Sequence, residues 1–528
     1  MTDDDHVVLS AHTSRPWLPE RPLDASPVPG STARVSLLLR RRAPLPHQLV
    51  QTPAVISNRE LAERFGADPA DIALVEGTLG RHGLRTVQVD HESRLLTVEG
   101  PLSALAEVFG SRIRLYEGED PFRPGPVRYR RHLGEVLLPA ELDGIVMSVV
   151  GLGTQPVARP EFHVPDDEPR ITYSAVELGR LYRFPASHDG TGQRLAVVSL
   201  GGMCRPDDLD GYFRSLGLAT PDITHVSVDG APVTPQSGPA TRFDLEVTLD
   251  LQIAGALAPG ATILNYVTRN NGQGILLALK AAVHATPSPT VISLSWGSPE
   301  ITWSGQLALA VHDLLEDAAA LGITVCAASG DSGSTSGMPD GAPHVNYPAS
   351  DPYVLACGGT TLLADPATNV IHAETAWNTG AFSATGGGVS GVFGLPEWQA
   401  TVDVPVRSDS GEPGRGVPDV AANADNRTGY RVRLGGTEIC VGGTSAATPL
   451  WAALICRVTQ SLERPLGLLQ PLIYRDLQAE VVTTGFRDVV AGDNGTYTAR
   501  PGWDPNTGLG SPHGEDLLEV LHRRVAEA

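Results

Sequence analysis

The chain has 528 residues, 41% of them apolar, with 57 glycines and 43 prolines. At roughly 100–200 residues per domain this implies two to four folded units, and the apolar share supplies a core that excludes a disordered chain. Its 39 Lys and Arg face 60 Asp and Glu for a net charge of −21, which excludes the basic face that nucleic acid needs, and no apolar run reaches the roughly 20 residues of a membrane helix.

Residues 1–32 are polar and rich in Pro and Ser, and read as a poorly ordered arm. The opening Met-Thr-Asp-Asp-Asp-His lacks the basic and apolar regions of a signal peptide. Residues 34–39 read as a strand and 58–65 as a short helix. Asp68 and Pro69 open a second helix, since Asp caps free amides and Pro has none to lose there; Ile72, Val75 and Leu79 share its apolar face until Gly83. Residues 86–89 and 95–98 form a hairpin, 102–109 a third helix and 134–138 a further strand. This β-α-β-β-α-β order predicts a ferredoxin-like α+β domain over 33–155.

Residues 156–170, directly after Gln155, are Pro- and acid-rich without periodicity, and read as an exposed linker. Beyond it, buried strands are predicted at 195–200, 262–267, 290–295, 324–328 and 354–357, spaced by helix-length segments. That alternation predicts an α/β unit over 171–528 with a mostly parallel sheet, whose sites form at the carboxyl ends of strands. Lys280 is the one lysine. The five cysteines show neither metal-ligand spacing nor a disulfide framework.

The sharpest local motif is Gly442-Gly443-Thr444-Ser445-Ala446-Ala447-Thr448-Pro449 before an apolar helix. Ser445 there is either an ordinary N-cap or a nucleophile with backbone amides nearby. None of the eight histidines after the linker stands in a context that marks it as the base. Within a helix predicted over 242–257, Glu246 and Asp250 share one face at i, i+4, as a solvated pair or as acids sharing a proton. Asp331 follows a central strand in Ser329-Gly330-Asp331-Ser332-Gly333, either as a turn residue or as a protonated acid that donates to an oxyanion. Trp296 ends another strand. Near the C-terminus, Asp488 and Asp504 with loop carbonyls could offer hard oxygen ligands, or they could simply form turns.

Four of these motifs, in this order, resemble the sedolisin family of serine-carboxyl peptidases, close to its kumamolisin-type members. They are Asp-Leu-Glu246-Val-Thr-Leu-Asp250, Ser-Leu-Ser-Trp296-Gly, Ser-Gly-Asp331-Ser-Gly and Gly-Thr-Ser445-Ala-x-x-Pro, and the resemblance runs from about Thr32 to the end. It implies a subtilisin-like fold behind a propeptide domain. Ser445 would be the nucleophile, Glu246 its base, Asp250 the tuner of that base, Asp331 the oxyanion stabiliser and Trp296 a supporting residue. It also implies one structural Ca²⁺ held by the carboxylates of Asp488 and Asp504 and the carbonyls of Val489, Arg500 and Gly502. The expected partners are polypeptide substrates and the chain's own propeptide as inhibitor, with no nucleic acid, no membrane and one copy acting alone. Export, an acid pH optimum and processing within 156–170 follow from the same resemblance.

Three positions depart from the family pattern. Arg500 stands where glycine is usual, so its carbonyl serves a metal only if the backbone angle suits a residue with a Cβ. Ser199 replaces a glutamate that would extend the acid network past Trp296. Asn346 replaces an aspartate lining the pocket for the residue before the cleaved bond, which should weaken selection for a basic side chain. The competing readings are an inactive homologue that only binds, and a hydrolase with a histidine base.

Overall fold

Two sheets of different construction organise the chain. The computed structural model describes residues 6–9, 19–23, 30–51, 55–119, 125–165, 171–235, 237–380, 382–478, 481 and 484–527. The first sheet has four antiparallel strands in the order Arg85–Asp90, Leu95–Pro101, Thr32–Leu39, Val146–Val150. Helices Asn58–Phe65, Pro69–Arg81 and Leu102–Val108 accompany it, and the second opens as predicted, with the Asp68 carboxylate accepting from Ala70 N at 2.8 Å. Val35, Leu37, Val75, Leu79, Val98 and Leu105 fill its core.

The ferredoxin-like expectation holds, with two corrections. The predicted strand at 134–138 exists as Val136–Pro139, but it pairs with His6–Leu9, while the fourth strand of the sheet is Val146–Val150. Both runs are apolar enough to be strands, and only pairing with Thr32–Leu39 distinguishes them. The arm expected to be disordered contributes His6–Leu9 and also Glu20–Pro22, which pairs with Arg112–Glu119; the rest of its first 18 residues lies outside the described residues.

The second sheet runs Ile223–Ser227, Thr262–Val267, Arg194–Ser199, Val291–Leu294, Thr324–Ala328, Leu355–Asp365, Val370–Ala376, with Val420–Asn423 also paired to Leu355–Asp365. Every pairing is parallel except the hairpin of Leu355–Asp365 with Val370–Ala376. Side chains alternate across a strand, so Leu195 and Val197 pack toward helices Arg242–Leu257 and Thr444–Leu462, whereas Ala196 and Val198 pack toward Gly272–Val283 and Gly305–Ala320. All five cysteines are free, and no helix among the described residues is long and apolar enough to cross a membrane.

The first unit docks on Gly272–Val283 and Gly305–Ala320. Arg41 reaches Asp317 at 2.7 Å and Glu316 at 2.8 Å, and Arg94, 1% exposed, reaches Asp313 at 3.0 Å. Lys280 bonds Asp90 at 2.8 Å, which holds that carboxylate below its usual range against the effect of burial. Gln306 accepts from Val149 N at 2.9 Å.

Asp317 is fully buried, and removing one partner of a buried ionic cluster costs about 3–5 kcal/mol. Asp317→Ala in an inert Ser445→Ala chain is therefore expected to lower Tm by several degrees and speed digestion of the N-terminal unit by an added protease. An unchanged digestion rate would mean that the cluster does not hold the units together.

Candidate active site

Ser445 occupies the first turn of the helix Thr444–Leu462, as the Gly-Thr-Ser-Ala motif predicts, and is fully buried. Pro449 sits inside that helix. Having no N–H, it leaves the Ser445 carbonyl free of its helical partner, and the Ser295 hydroxyl approaches that carbonyl at 3.4 Å. Gly443 has φ 121, and a Cβ there would stand 2.3 Å from Glu161 O and 2.6 Å from Asp331 Oδ2. Only glycine lets the neighbouring chain come this close, and the two oxygens flank one small space.

Glu246 and Asp250 project from Arg242–Leu257, whose N-terminus is closed by a Thr241/Asp244 capping box. The predicted spacing is correct, but the solvated-face alternative is not: both side chains are 0% exposed. Asp250 Oδ1 accepts from Ser295 Oγ at 2.7 Å, while Asp250 Oδ2 and both Glu246 oxygens have no hydrogen bond. Burial, then the charge of Asp250, pushes the Glu246 carboxyl well above the usual range; burial does the same to Asp250. The Ser445 hydroxyl lies near enough to Glu246 to oppose that rise, yet it donates its single proton to Ser295 O at 3.1 Å.

Asp331 lies just beyond Thr324–Ala328, at the carboxyl end of the central strand. Its Oδ1 accepts from Thr444 N at 2.8 Å and Thr444 Oγ1 at 2.7 Å, and Oδ2 is buried without a hydrogen bond. Burial raises its pKa to about 6. Trp296 stacks on Phe243 with ring centroids 5.3 Å apart, and its indole nitrogen has no partner. Ser199 turns instead to Asn265 Oδ1 at 2.7 Å. Because the indole nitrogen bonds nothing, the hydrogen bonds of the acid pair stop at Ser295, one residue short of the tryptophan.

The residues that sequence reasoning missed lie in the segment read as an exposed linker. Val157, Ala158, Glu161 and Phe162 are buried; residues 166–170 lie outside the described residues. Arg159 and Pro160 pair antiparallel with Gly297 and Trp296, and His163 exchanges backbone bonds with Gly442 at 2.9 and 2.8 Å. Between them Glu161 N lies 3.1 Å from Ser445 Oγ and 3.3 Å from Ser295 O, and Glu161 O accepts from Ser445 N at 2.9 Å. The Glu161 carboxylate takes Asn346 Nδ2 at 2.9 Å, Arg159 Nε at 3.2 Å and Asp331 N at 3.1 Å. No periodicity marks this stretch, because the bonds that order it come from strands and turns far along the chain.

The C-terminal residues are brought together in part. Asp488 Oδ2 accepts from Gly502 N at 3.0 Å and Asp504 Oδ2 from Arg500 N at 3.3 Å, so the two carboxylates bracket one loop. Asp488 Oδ1 is buried without a partner, and burial raises Asp488 and carries Asp504 to about 6. Arg500 is absent from the positive-φ residues, so its Cβ is no obstacle, and its guanidinium reaches Asp403 at 3.0 Å. Among the described residues no group of three or more His, Cys, Asp or Glu could hold a metal; this loop offers two carboxylates and backbone carbonyls.

Residues 244–510 match the Subtilase family, and residues 43–154 match the Pro-kumamolisin activation domain. Kumamolisin of Bacillus sp. (strain MN-32) is 40% identical, covering 100% of this chain and 98% of that protein. Sedolisin of Pseudomonas sp. (strain 101) is 29% identical over 91% of this chain and 86% of its own. A structure of Pseudomonas sedolisin, complexed with pseudo-iodotyrostatin, superposes with TM-score 0.57 at 27% identity, covering 67% of this chain and 98% of that one.

A carboxyl whose folded pKa is raised favours the fold below its unfolded pKa and loses that contribution as pH climbs through the folded value. In a Ser445→Ala chain, Asp250→Asn is thus expected to raise Tm by several degrees at pH 7 and to change it little near pH 4. Equal Tm shifts at both pH values would mean that Asp250 is not a buried carboxyl carrying a raised pKa.

Proposed function

The chain belongs to the sedolisin family of serine peptidases, with a kumamolisin-type activation domain, and we propose that it is an acid-acting serine-carboxyl endopeptidase made as a self-processing zymogen. One observation carries this reading: among the described residues of its own domain, the buried carboxyls of Glu246, Asp250 and Asp331 gather around Ser445. Among the described residues the hydroxyl of Ser445 bonds Ser295 O and Glu161 N, lies beside Glu246 and bonds no histidine.

Ser445 Oγ attacks the substrate carbonyl while Glu246 takes its proton. Asp250, fixed by Ser295, holds a proton of its own and so lets Glu246 ionise beside it. Asp331 Oδ2, aimed with Glu161 O at one space beside Gly443, donates a hydrogen bond to the developing oxyanion, joined by Ser445 N. This requires Asp331 to be protonated, a condition met below about pH 6 and lost above it. Asp331→Asn is expected to lower kcat by about 10²–10³ and to flatten the alkaline limb of the pH profile. Activity rising steadily to pH 8 would overturn the mechanism.

Residues 33–155 are then the propeptide, 156–170 the segment that processing removes, and 171–528 the peptidase. All the reacting groups lie in one chain, consistent with a monomer, and an acid-triggered zymogen fits action outside the cytosol. Held near pH 4, the wild type is expected to shed roughly its first 160 residues and gain activity, and Ser445→Ala to do neither. Glu246→Gln is expected to lose at least about 10²-fold in rate; retained activity would favour a histidine base.

The loop of Asp488 and Asp504 fits a structural Ca²⁺, with the Val489, Arg500 and Gly502 carbonyls completing the set. When bound, the ion neutralises two carboxylates that burial otherwise disfavours. Chelation is expected to lower Tm by several degrees, and added Ca²⁺ to restore it. No change on chelation would remove the ion from this reading.

A further inference from the structure

Resting on Ser445 as nucleophile, we propose that the first bond this precursor cuts in itself is Glu161–Phe162, and that its pocket for the residue before the cut selects glutamate or glutamine through Asn346. The register supports the bond. An extended segment paired to strand edges on both sides of a serine has the geometry of a peptide bound by strand addition. Only Glu161 has its N–H directed at Ser295 O and Ser445 Oγ while its carbonyl accepts from Ser445 N. A shift by one residue puts Pro160, which has no N–H, in that place and turns every side chain to the opposite face.

The pocket supports the selection. The Glu161 side chain is 1% exposed and receives donors alone: Asn346 Nδ2, Asp331 N and Arg159 Nε. Among the described residues no carboxylate bonds this side chain; the charge of Asp331 acts on it without a bond, its Oδ1 being turned to Thr444. Gly330, at φ 112, holds the amide in place, since a Cβ there would stand 2.5 Å from Asn346 Nδ2. Asn346 Oδ1 is buried with no partner, an acceptor free for the N–H of a glutamine or the O–H of a glutamic acid. Arg159, two residues before Glu161 on the same face of the strand, folds over the pocket and is anchored by Ser332 Oγ at 3.1 Å and Ser336 O at 3.2 Å. The cleaved segment thus carries its own counter-charge.

In the step itself, Ser445 Oγ bonds the Glu161 carbonyl carbon and its proton passes to Glu246. The bond to Phe162 nitrogen breaks and that nitrogen leaves with the proton as a free amine. Water then hydrolyses the ester, which frees Ser445 and leaves Glu161 with an α-carboxylate.

The test reads the first fragments of acid-treated wild type by intact mass, then times quenched peptides matching residues 157–165 with position 161 varied. One new C-terminus at Glu161 and one new N-terminus at Phe162 are expected, with kcat/KM for Glu and Gln about tenfold or more above Arg. Asn346→Asp is expected to shift the Glu-to-Arg ratio by about tenfold or more toward Arg. Replacing the arginine at peptide position 159 should slow the Glu peptide more than the Ala peptide. An active enzyme that first cuts elsewhere, or prefers Arg, overturns this proposal and leaves the nucleophile reading standing. Wild type that cuts nothing, like Ser445→Ala, overturns both.

Discussion

The structure depends on a charge that has nowhere to go. Glu161, Glu246, Asp250 and Asp331 converge on one serine, each at most 2% exposed. Carboxylates this close in a dry site cannot all ionise, because burial and mutual repulsion both favour the neutral form. Protons must be held there, and a cleft that holds protons can donate one to an oxyanion where a histidine-based site would use amides alone. The same constraint keeps the site poor in hydrogen bonds: of the six oxygens of Glu246, Asp250 and Asp331, four bond nothing, one accepts from a single hydroxyl and one accepts from Thr444.

Local geometry serves this convergence. A helix with carboxyls one turn apart sets Glu246 above Asp250, and Ser295 ties the lower one to the strand end that carries Trp296. Gly443 clears the space flanked by Asp331 Oδ2 and Glu161 O, and Pro449 leaves the Ser445 carbonyl without a helical partner, 3.4 Å from the Ser295 hydroxyl. Among the described residues the N-terminal unit makes no hydrogen bond or ion pair with these groups. It grips the far face of the sheet through Arg41, Arg94 and Lys280, while the chain leading out of it crosses the cleft. Docking and blocking are therefore separate contacts linked by one covalent tether.

What was legible in the sequence follows from how locally each feature is encoded. Strand and helix periods, the Asp68-Pro69 start and the i, i+4 carboxyl pair need only a few neighbouring residues, and they appear where expected. The strand Val146–Val150 and the arm strands were misread because strand partners are chosen by pairing, which a run of valines does not encode. Glu161 was missed for a deeper reason. Pro and acidic residues lower local order, and its burial is bought by a groove built from residues 295–297, 331, 346 and 442–445.

By itself the sequence determined the order of the units, the parallel sheet and the family motifs that carry Glu246, Asp250, Asp331 and Ser445, since each rests on short-range pattern or on a motif. Only the tertiary structure decided that the carboxyls are buried, that Asn346 meets a glutamate, and that the segment after the first unit lies in the cleft as a strand. Those facts depend on desolvation and long-range pairing, which are properties of what surrounds a residue and not of the residue's place in the chain.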